Sequence, residues 1–484
     1  MEAWRQFAYH LLSIFNVVVV SYFVVGNGVY TLLMGISLAK VWLRSRALPF
    51  QGLDVARQSR AMPPVTIIVP AWNEQNIIVE SLQAILRTDY PQLEVMVVDD
   101  GSSDRTLARL TSAFGLKRIR LIYRAALPTR AAEEFYRAPE IPNLLVVRKD
   151  HGGKPDALNV GINLCRTPYF CTLDADSVLD PDALLRLMQD IVRSPVDTVA
   201  SGGIIRILNG CEVENGEVTR VALPAKPIER FQVVEYLRTF LFGRTGWDLL
   251  GATLIVSGAF AVFHRQTVVE AGGFSDDTVT EDLELIVRLY RWAAENQRRI
   301  RISFTSDPIC WTECPSSLRM LARQRRRWQK GLCQTLWKNR DMVFNRKFRA
   351  LGLLGLPFHL YVEALGAAVE LLGYFIVPLA FLFHLAPPAL YIPFLALALT
   401  YAGFLSTGAI VLEGLTSRRY PSLKDFTNLL KYAVIENLGY RQVVLFYRFQ
   451  GVLQFLAGSR KWERVVHVGG RTGATGCAST TKVT

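Results

Sequence analysis

The sequence predicts an α/β domain with a largely parallel sheet, flanked by helices that cross a membrane. Three observations predict this. Short apolar runs alternate with segments of helical periodicity, turn-forming polar residues follow each apolar run, and long apolar segments lie on both sides of the block. The alternation is typical of α/β domains, and the long segments are typical of membrane proteins.

The alternation is clearest in three places within the central block. VTIIV (65–69) precedes a helical pattern at 75–87, LEVMVVDD (93–100) precedes one at 104–114, and PYFCTLDAD (168–176) precedes one at 181–193. Parallel strands joined by helices give this order. In such sheets ligands bind beyond the carboxyl ends of the strands, so the residues just after each run are the candidates for a site.

Three apolar segments are long enough to cross a bilayer, which takes roughly 20 helical residues. They run from 11 to 42, from 357 to 383 and from 389 to 412, and the last two are joined by a predicted tight turn at 384–388. The first segment is interpreted as one tilted helix in preference to two short passes hinged at Gly26. Basic residues follow the first and third segments, namely Lys40, Arg44, Arg46, Arg418, Arg419 and Lys424. The positive-inside rule therefore predicts a multi-pass protein of the inner (plasma) membrane with the central block in the cytoplasm.

These features divide the chain into six parts. They are an N-terminal transmembrane helix (1–46), a cytoplasmic domain (60–312), amphipathic interfacial helices (313–352), two transmembrane helices (353–415), cytoplasmic interfacial helices (416–468) and a disordered tail (469–484).

The chain is basic, with 55 Lys and Arg against 42 Asp and Glu and a net charge of +13. Such a balance suits nucleic acid, an anionic membrane face or a phosphorylated substrate. No nucleic-acid recognition motif accompanies the charge, and the basic run RQRRRWQKG (323–331) is close to apolar segments, so nucleic acid is excluded as a partner. The seven cysteines include no CxxC pair and are expected to be reduced thiols.

Polar residues follow all three strands as PAWNE (70–74), DDGSSD (99–104) and DADS (174–177). Two carboxylates spaced as Asp174 and Asp176 can share one Mg²⁺ or Mn²⁺ ion. An Asp-x-Asp pair is weak evidence alone, but its place after a buried strand favours a metal site.

Two further segments each allow two interpretations. In TVTEDLELIVRL (278–289), Glu281 and Asp282 either cap a helix together with Thr280 or supply a general base. In GGKPDALN (152–159), Lys154 is either an ordinary exposed lysine or neutralises a phosphate.

The ordered set VPAWNE, VVDDGSSD, GGKPDALN, TLDADS, VSGAF, TED and QRRRW resembles the membrane-bound, processive family 2 glycosyltransferases. This group includes the cellulose, hyaluronan, chitin and poly-N-acetylglucosamine synthases, and the resemblance covers about residues 60–335. It implies a GT-A (Rossmann-like) fold, a nucleotide-sugar donor, Mg²⁺ or Mn²⁺ as cofactor, and inversion at the anomeric carbon.

The resemblance also implies roles for individual residues. The donor would be bound by Trp72, Glu74, Asp99, Asp100, Lys154, Asp174 and Arg327. The metal would be held by Asp174 and Asp176. Asp282 would be the catalytic base, with Glu281 beside it, and the acceptor would be bordered by Ser257, Gly258, Gln324 and Trp328.

The run RQRRRWQKG contains the QxxRW element of that family. Helical spacing puts Gln324, Arg327 and Trp328 on one face, where Trp328 can stack on an acceptor sugar. The remaining cations, Arg323, Arg325, Arg326 and Lys330, are assigned to the anionic membrane surface. On that assignment Arg325→Ala would have a mild effect.

The expected activity is inverting transfer of a sugar from a UDP-sugar, first UDP-N-acetylglucosamine, to a growing β-linked polysaccharide. The alternatives are a single transfer to a lipid or small acceptor, and a non-catalytic membrane scaffold. Glu363 and Glu370 lie on one helix face, where they either line a passage for the product or pair with cations near the interface. Three spans are few for a polymer-exporting synthase, so export would need an accessory membrane subunit or a homo-oligomer. Membrane lipids are a further expected partner.

Overall fold

The computed structural model describes residues 2–47, 52–59, 61–383, 388–415, 419–420 and 422–458, and a mixed ten-stranded sheet lies at the centre of this part of the chain. The predicted tail (469–484) and most of the predicted turn at 384–388 fall outside the described residues.

The strands are β1 (Val65–Ala71), β2 (Leu93–Asp99), β3 (Lys117–Ile119), β4 (Ala132–Ala138), β5 (Ile141–Lys149), β6 (Tyr169–Leu173), β7 (Val178–Leu179), β8 (Thr198–Ile207), β9 (Glu212–Glu214), β10 (Glu217–Arg220), β11 (Phe260–His264) and β12 (Arg301–Thr312). The α-helices of the central block are α2 (Leu53–Gln58), α3 (Ile78–Leu86), α4 (Thr106–Phe114), α5 (Lys154–Leu164), α6 (Ala183–Arg193), α7 (Pro227–Leu237), α8 (Thr245–Leu249), α9 (Arg265–Glu270), α10 (Glu281–Glu295) and α11 (Leu318–Lys338). The flanking α-helices are α1 (Glu2–Ala47), α12 (Leu356–Phe358), α13 (Gly366–Leu382), α14 (Pro388–Leu415), α15 (Leu423–Ile435) and α16 (Tyr440–Leu456). Arg238–Arg244, Leu351–Gly355 and His359–Ala364 are π-helical.

The strand order is β3-β4-β5-β2-β1-β6-β11-β8-β12-β7, with β9 and β10 forming a separate hairpin. The neighbours β5, β2, β1 and β6 run parallel, as the alternating pattern predicts. Outside this centre the sheet is mixed, because β12 runs parallel to β8 whereas the other neighbouring pairs are antiparallel. β11 enters between β6 and β8 antiparallel to both, and β4 forms a short hairpin with β5.

The central strands are buried on both faces, which is why they read as continuous apolar runs. All ten residues of β8 and four of the five in β6 are buried. The three predicted strand-helix pairs are present, as β1 with α3, β2 with α4 and β6 with α6. The parallel order brings the loops after β1, β2 and β6 to one edge of the sheet.

Within the described residues, three helical segments are long and apolar enough to cross a membrane: Tyr9–Arg44, Leu351–Ala380 and Leu395–Leu415. They indicate a membrane protein. The first lies within α1, which continues through Gly26 without a break.

The apolar helices are tied to the sheet domain by polar contacts. Ser37 of α1 donates a hydrogen bond to the carbonyl of Phe242 over 2.9 Å. Arg206 of β8 pairs with Glu413 of α14 over 2.6 Å, and both side chains are almost wholly buried. The domain and the apolar helices therefore form one packed unit at these contacts.

Candidate active site

A cavity of about 1300 Å³ opens at the carboxyl ends of the central strands and continues between the apolar helices. It is lined by thirteen residues that the sequence predicts for the site, namely Trp72, Glu74, Asp100, Lys154, Asp174, Asp176, Ser257, Gly258, Glu281, Asp282, Gln324, Arg327 and Trp328. These residues come from distant parts of the chain, so the fold brings residues of separate motifs together around one cavity.

Asp99 is the predicted donor-binding residue that does not line the cavity. Its side chain is buried beneath the loop after β2, where one carboxylate oxygen accepts a hydrogen bond from the Ser102 amide over 3.0 Å. Burial raises the pKa of Asp99. Of the two adjacent aspartates, Asp99 therefore holds the turn and Asp100 faces the cavity.

The loops after β1 and β2 are held together by Asn73. Its backbone amide donates to the Ser102 hydroxyl over 2.9 Å, and its side-chain oxygen accepts from the Ser103 amide over 2.8 Å. Beside it, the ring of Trp72 stacks on that of His151, with centroids 4.5 Å apart. The aromatic surface at this end of the cavity is thus fixed by both loops.

Asp100 organises the segment that leads into α5. Its carboxylate accepts hydrogen bonds from the amides of Gly152 and Gly153 over 2.9 and 2.8 Å. Lys149 lies 2.6 Å from both Asp100 and Asp156, and its side chain is fully buried. Sequence reasoning missed Lys149, and the one available signal was a lysine at the end of an apolar run just before the HGGK segment.

Gly101 allows this segment to approach the loop after β2. Its φ of 68° lies in the left-handed region, and a Cβ atom there would stand 2.7 Å from the backbone nitrogen of His151. A larger residue would be strained and would push the two loops apart.

Lys154 is the first residue of α5 and lies among carboxylates. Its Nζ is 2.5 Å from Asp174 and 3.6 Å from Glu281. Burial opposes the charged form of Lys154, but Asp174 and Glu281 outweigh it and raise its pKa. Burial likewise raises the pKa of Glu281. The lysine is therefore no ordinary exposed side chain, because it lies among the carboxylates at this part of the cavity.

The donor set at Asp174 and Asp176 fits a hard divalent cation, because both side chains present carboxylate oxygens to the cavity. Among the described residues no three His, Cys, Asp or Glu side chains converge as metal ligands. A cation at this position would complete its shell with oxygens from a bound ligand or from water.

Asp282 lies at the start of α10 and touches the VSGAF segment. One carboxylate oxygen accepts from the Gly258 amide over 2.9 Å, and the other accepts from the Leu283 amide over 2.9 Å. The Thr280 hydroxyl makes no capping bond to the helix. Thr280 is nevertheless the N-cap residue of α10, with Glu281 and Asp282 in the first turn, as the capping interpretation expects. The role of Asp282 as a general base stays a prediction, and its two hydrogen bonds hold the carboxylate in a fixed orientation.

The helix α11 carries the QxxRW residues to the cavity and packs against the TED loop. Gln324 and Trp328 reach the cavity, and Trp328 remains 38% exposed. Gly331 meets Thr280 so closely that a Cβ atom at position 331 would lie 2.5 Å from Thr280 Cγ2. Gln334 adds a hydrogen bond from the Val279 amide over 3.1 Å.

The assignment of Arg325 and Lys330 to the membrane surface is wrong, because both side chains are buried. Arg325 pairs with Glu235 over 2.7 Å, and the Tyr440 hydroxyl donates to the same carboxylate over 2.8 Å. The Arg325 guanidinium also lies 4.5 Å from the centroid of the Trp328 ring. The physical reason is that α11 is packed between the sheet domain and α16, so this face has no access to a membrane surface.

The far end of the cavity contains both glutamates of the second apolar segment. Glu363 pairs with Arg448 over 2.8 Å and accepts a hydrogen bond from Tyr30, and Glu370 accepts one from Tyr22 over 2.5 Å. Glu363 therefore has a cationic partner, and both glutamates also line the cavity. Ion pairing is thus confirmed for Glu363, whereas Glu370 is held by the Tyr22 hydroxyl, and a passage for the product along this face stays a prediction.

Comparison with known proteins gives one family and several relatives. A family model described as "Glycosyltransferase like family 2" matches residues 63–331. The poly-beta-1,6-N-acetyl-D-glucosamine synthase of Staphylococcus aureus (strain MSSA476) is 26% identical over 309 residues, which are 64% of this chain and 63% of the relative. The synthase of the same name from Staphylococcus epidermidis is 24% identical over 311 residues, 64% of each chain. The chain thus spans slightly less than two thirds of the length of these relatives.

Two similar solved structures are more distant. The mannosyltransferase PcManGT from Pyrobaculum calidifontis, in complex with GDP-Man and Mn2+, has a TM-score of 0.47 and 19% identity, covering 88% of this chain and 99% of its own. S. aureus TarS 1-349 in complex with UDP-GlcNAc has a TM-score of 0.37 and 16% identity, covering 82% and 92%.

Proposed function

The chain belongs to the glycosyltransferase-like family 2, and from that premise we propose that it is a membrane-bound polysaccharide synthase. It transfers N-acetylglucosamine from UDP-N-acetylglucosamine, with inversion, to the end of a growing β-linked polysaccharide. Its central domain has the GT-A fold. The observation that carries the proposal is the single cavity in which Asp174, Lys154 and Asp282 lie together and which continues between apolar helices.

The donor occupies the end of the cavity at the loops after β1 and β2. Trp72 stacks on uracil and Glu74 lines the uridine pocket. Asp100 lies near uracil and ribose and holds the Gly152–Gly153 segment in place beside the donor. Lys154 and Arg327 face the diphosphate. The choice of sugar is supported by the relatives, which are named poly-beta-1,6-N-acetyl-D-glucosamine synthases.

Transfer is a displacement at the anomeric carbon. The carboxylate of Asp282 takes the proton of an acceptor hydroxyl, whose oxygen forms the new bond to the anomeric carbon while the bond to the diphosphate breaks. UDP leaves with the electron pair of that bond. Asp174 and Asp176 would hold a Mg²⁺ or Mn²⁺ ion, whose chemistry is neutralisation of the leaving diphosphate.

The acceptor lies at the mouth formed by VSGAF and α11. Trp328 provides a ring on which a sugar stacks, while Ser257, Gly258 and Gln324 border it. The continuation of the cavity to Glu363 and Glu370 favours a polymeric product over a single transfer to a small acceptor. The protein is a multi-pass protein of the inner membrane with its catalytic domain in the cytoplasm, and export of the product needs a further subunit or a second copy.

The test is to incubate the purified protein with a panel of UDP-sugars and Mg²⁺ or Mn²⁺. We expect UDP release with UDP-N-acetylglucosamine, lost on chelation by EDTA, and a ladder or high polymer from a radiolabelled donor. One discrete product would support single transfer, and absence of UDP release with every donor would support a non-catalytic scaffold.

Asp282→Asn tests the assigned base. Because the amide cannot take a proton at neutral pH, we expect transfer to fall by at least about 1,000-fold while UDP still binds. Asp54→Asn, at an exposed position outside the cavity, is the matched control. Turnover of Asp282→Asn at the level of this control would exclude Asp282 as the base.

A further inference from the structure

Arg244 lines the cavity but takes no part in the roles assigned above. It is the last residue of the π-helical segment Arg238–Arg244, which connects α7 with α8. Its guanidinium lies over the face of Phe240, 3.8 Å from the ring centroid. Arg244 is therefore a cation of the cavity wall that interacts electrostatically with Asp282.

The guanidinium lacks the partners that a buried cation normally has. Its Nε and Nη1 atoms are buried and have no hydrogen-bond partner among the described residues. Burial lowers the pKa of Arg244 to about 10, and Asp282 is the charge that most opposes this. Buried charged donors are costly to leave unpaired, and where one is kept beside a cavity a ligand is expected to pair with it.

We propose that Arg244 is an acceptor-binding residue, whose guanidinium donates hydrogen bonds to oxygens of the terminal acceptor sugar and so holds the attacking hydroxyl beside Asp282. This rests on the proposed function above. The guanidinium reaches the sugar by rotating from the face of Phe240 into the cavity, where an incoming sugar supplies the missing oxygens.

The position of Arg244 favours the acceptor over the donor. The donor end already has the cations Lys154 and Arg327. Arg244 instead belongs to the segment that packs on α1 through the Ser37 hydrogen bond to Phe242 and that carries Arg238, which contacts Glu436. Arg244 thus belongs to a segment that packs on the apolar helices, lines the same cavity as Asp282 and interacts electrostatically with it.

The arginine also suits an uncharged sugar. A guanidinium offers several donors in one plane, which matches neighbouring hydroxyl or acetamido oxygens of a pyranose ring. Asp282 accepts hydrogen bonds from the Gly258 and Leu283 amides, so its carboxylate is held in place to meet a hydroxyl that Arg244 positions.

The experiment uses the full chain in detergent or nanodiscs with UDP-N-acetylglucosamine as donor and a β-1,6-linked N-acetylglucosamine pentasaccharide as acceptor probe. Arg244→Ala and Arg244→Gln are compared with Arg299→Ala, an exposed arginine outside the cavity. Loss of a charged hydrogen bond should raise the KM for the pentasaccharide by about 10- to 100-fold. The affinity for UDP, measured by calorimetry, should stay at the wild-type value, and added guanidinium chloride should restore transfer in Arg244→Ala but not in Arg244→Gln.

Three results would overturn the inference. An unchanged pentasaccharide KM in both variants would show that Arg244 does not bind the acceptor. Weaker UDP binding in both would assign it to the donor or to the fold, and equal rescue of the two variants by guanidinium would show that the rescue does not refill the site. Failure of the wild-type protein to release UDP from any UDP-sugar would instead refute the proposed function.

Discussion

Substitution of Gly331 by Ala tests how closely α11 and the TED loop must fit. The added methyl carbon would lie 2.5 Å from Thr280 Cγ2 and 2.8 Å from Thr280 Cβ, and closer still to the hydroxyl oxygen. Thr280 directly precedes Glu281 and Asp282, so any movement of Thr280 is passed to the catalytic residues.

The size of the effect follows from these distances. Carbon atoms pack best about 3.5 to 4.0 Å apart, so helix and loop must separate by about 1 Å. Overpacking of this kind costs about 1 to 3 kcal/mol of stability, which an intact domain withstands. A 1 Å error in the position of a catalytic group, however, can lower the rate by about 100-fold. We therefore expect a folded protein with near-normal UDP binding and about one per cent of wild-type transfer.

The assay measures UDP release with acceptor present, together with the melting temperature of the purified protein. Gly403→Ala is the control, because a Cβ atom there meets nothing within 4 Å. Thr280→Gly removes the three atoms that the new methyl group meets, so the double variant Gly331→Ala/Thr280→Gly should recover part of the lost rate. Wild-type transfer by Gly331→Ala alone would refute the argument that this contact positions Asp282.

Two further substitutions test buried ion pairs that the sequence did not reveal. Arg325→Ala leaves Glu235 without its cation and Trp328 without the guanidinium beside its ring, so transfer should fall at least about tenfold, because truncating a buried pair costs about 3 to 5 kcal/mol. The exposed Arg299 serves as its control in the same UDP-release assay, and a loss no greater than that of Arg299→Ala would show that transfer does not depend on the buried pair. Lys149→Met leaves Asp100 and Asp156 facing each other without the buried ammonium group, and the affinity for UDP should fall by about tenfold or more in calorimetry. Unchanged UDP affinity in Lys149→Met would show that Asp100 takes no part in donor binding.

The central strands and the residues at their exits could be predicted because both depend on local pattern. Apolar runs bounded by turn residues identified β1, β2 and β6, and the parallel order of these strands places Asp100 and Asp174 at one edge. The antiparallel insertion of β11 was not visible, because nothing in its own residues specifies its neighbours. Nor does local pattern distinguish Asp99 from Asp100, since which of two adjacent side chains faces a cavity depends on the twist and packing of the whole sheet.

The basic run at 323–331 also shows that local sequence pattern does not determine which side chains become buried. A window of arginines predicts an exposed surface when composition alone is considered, and that inference fails for Arg325 and Lys330. The partner of Arg325 is Glu235, 90 residues away in the chain. Lys149 likewise became a buried group through contacts that only the tertiary fold creates. Charges in this protein are informative about function mainly where the fold gives them specific partners.

The pairing of Arg206 with Glu413 has a consequence for how the chain can be divided. A truncated form that ended before α14 would remove the counter-ion of Arg206, a side chain that is almost wholly buried when α14 is in place. The sheet domain is therefore not a detachable module. The last apolar helix supplies a charged side chain that the interior of the sheet domain requires.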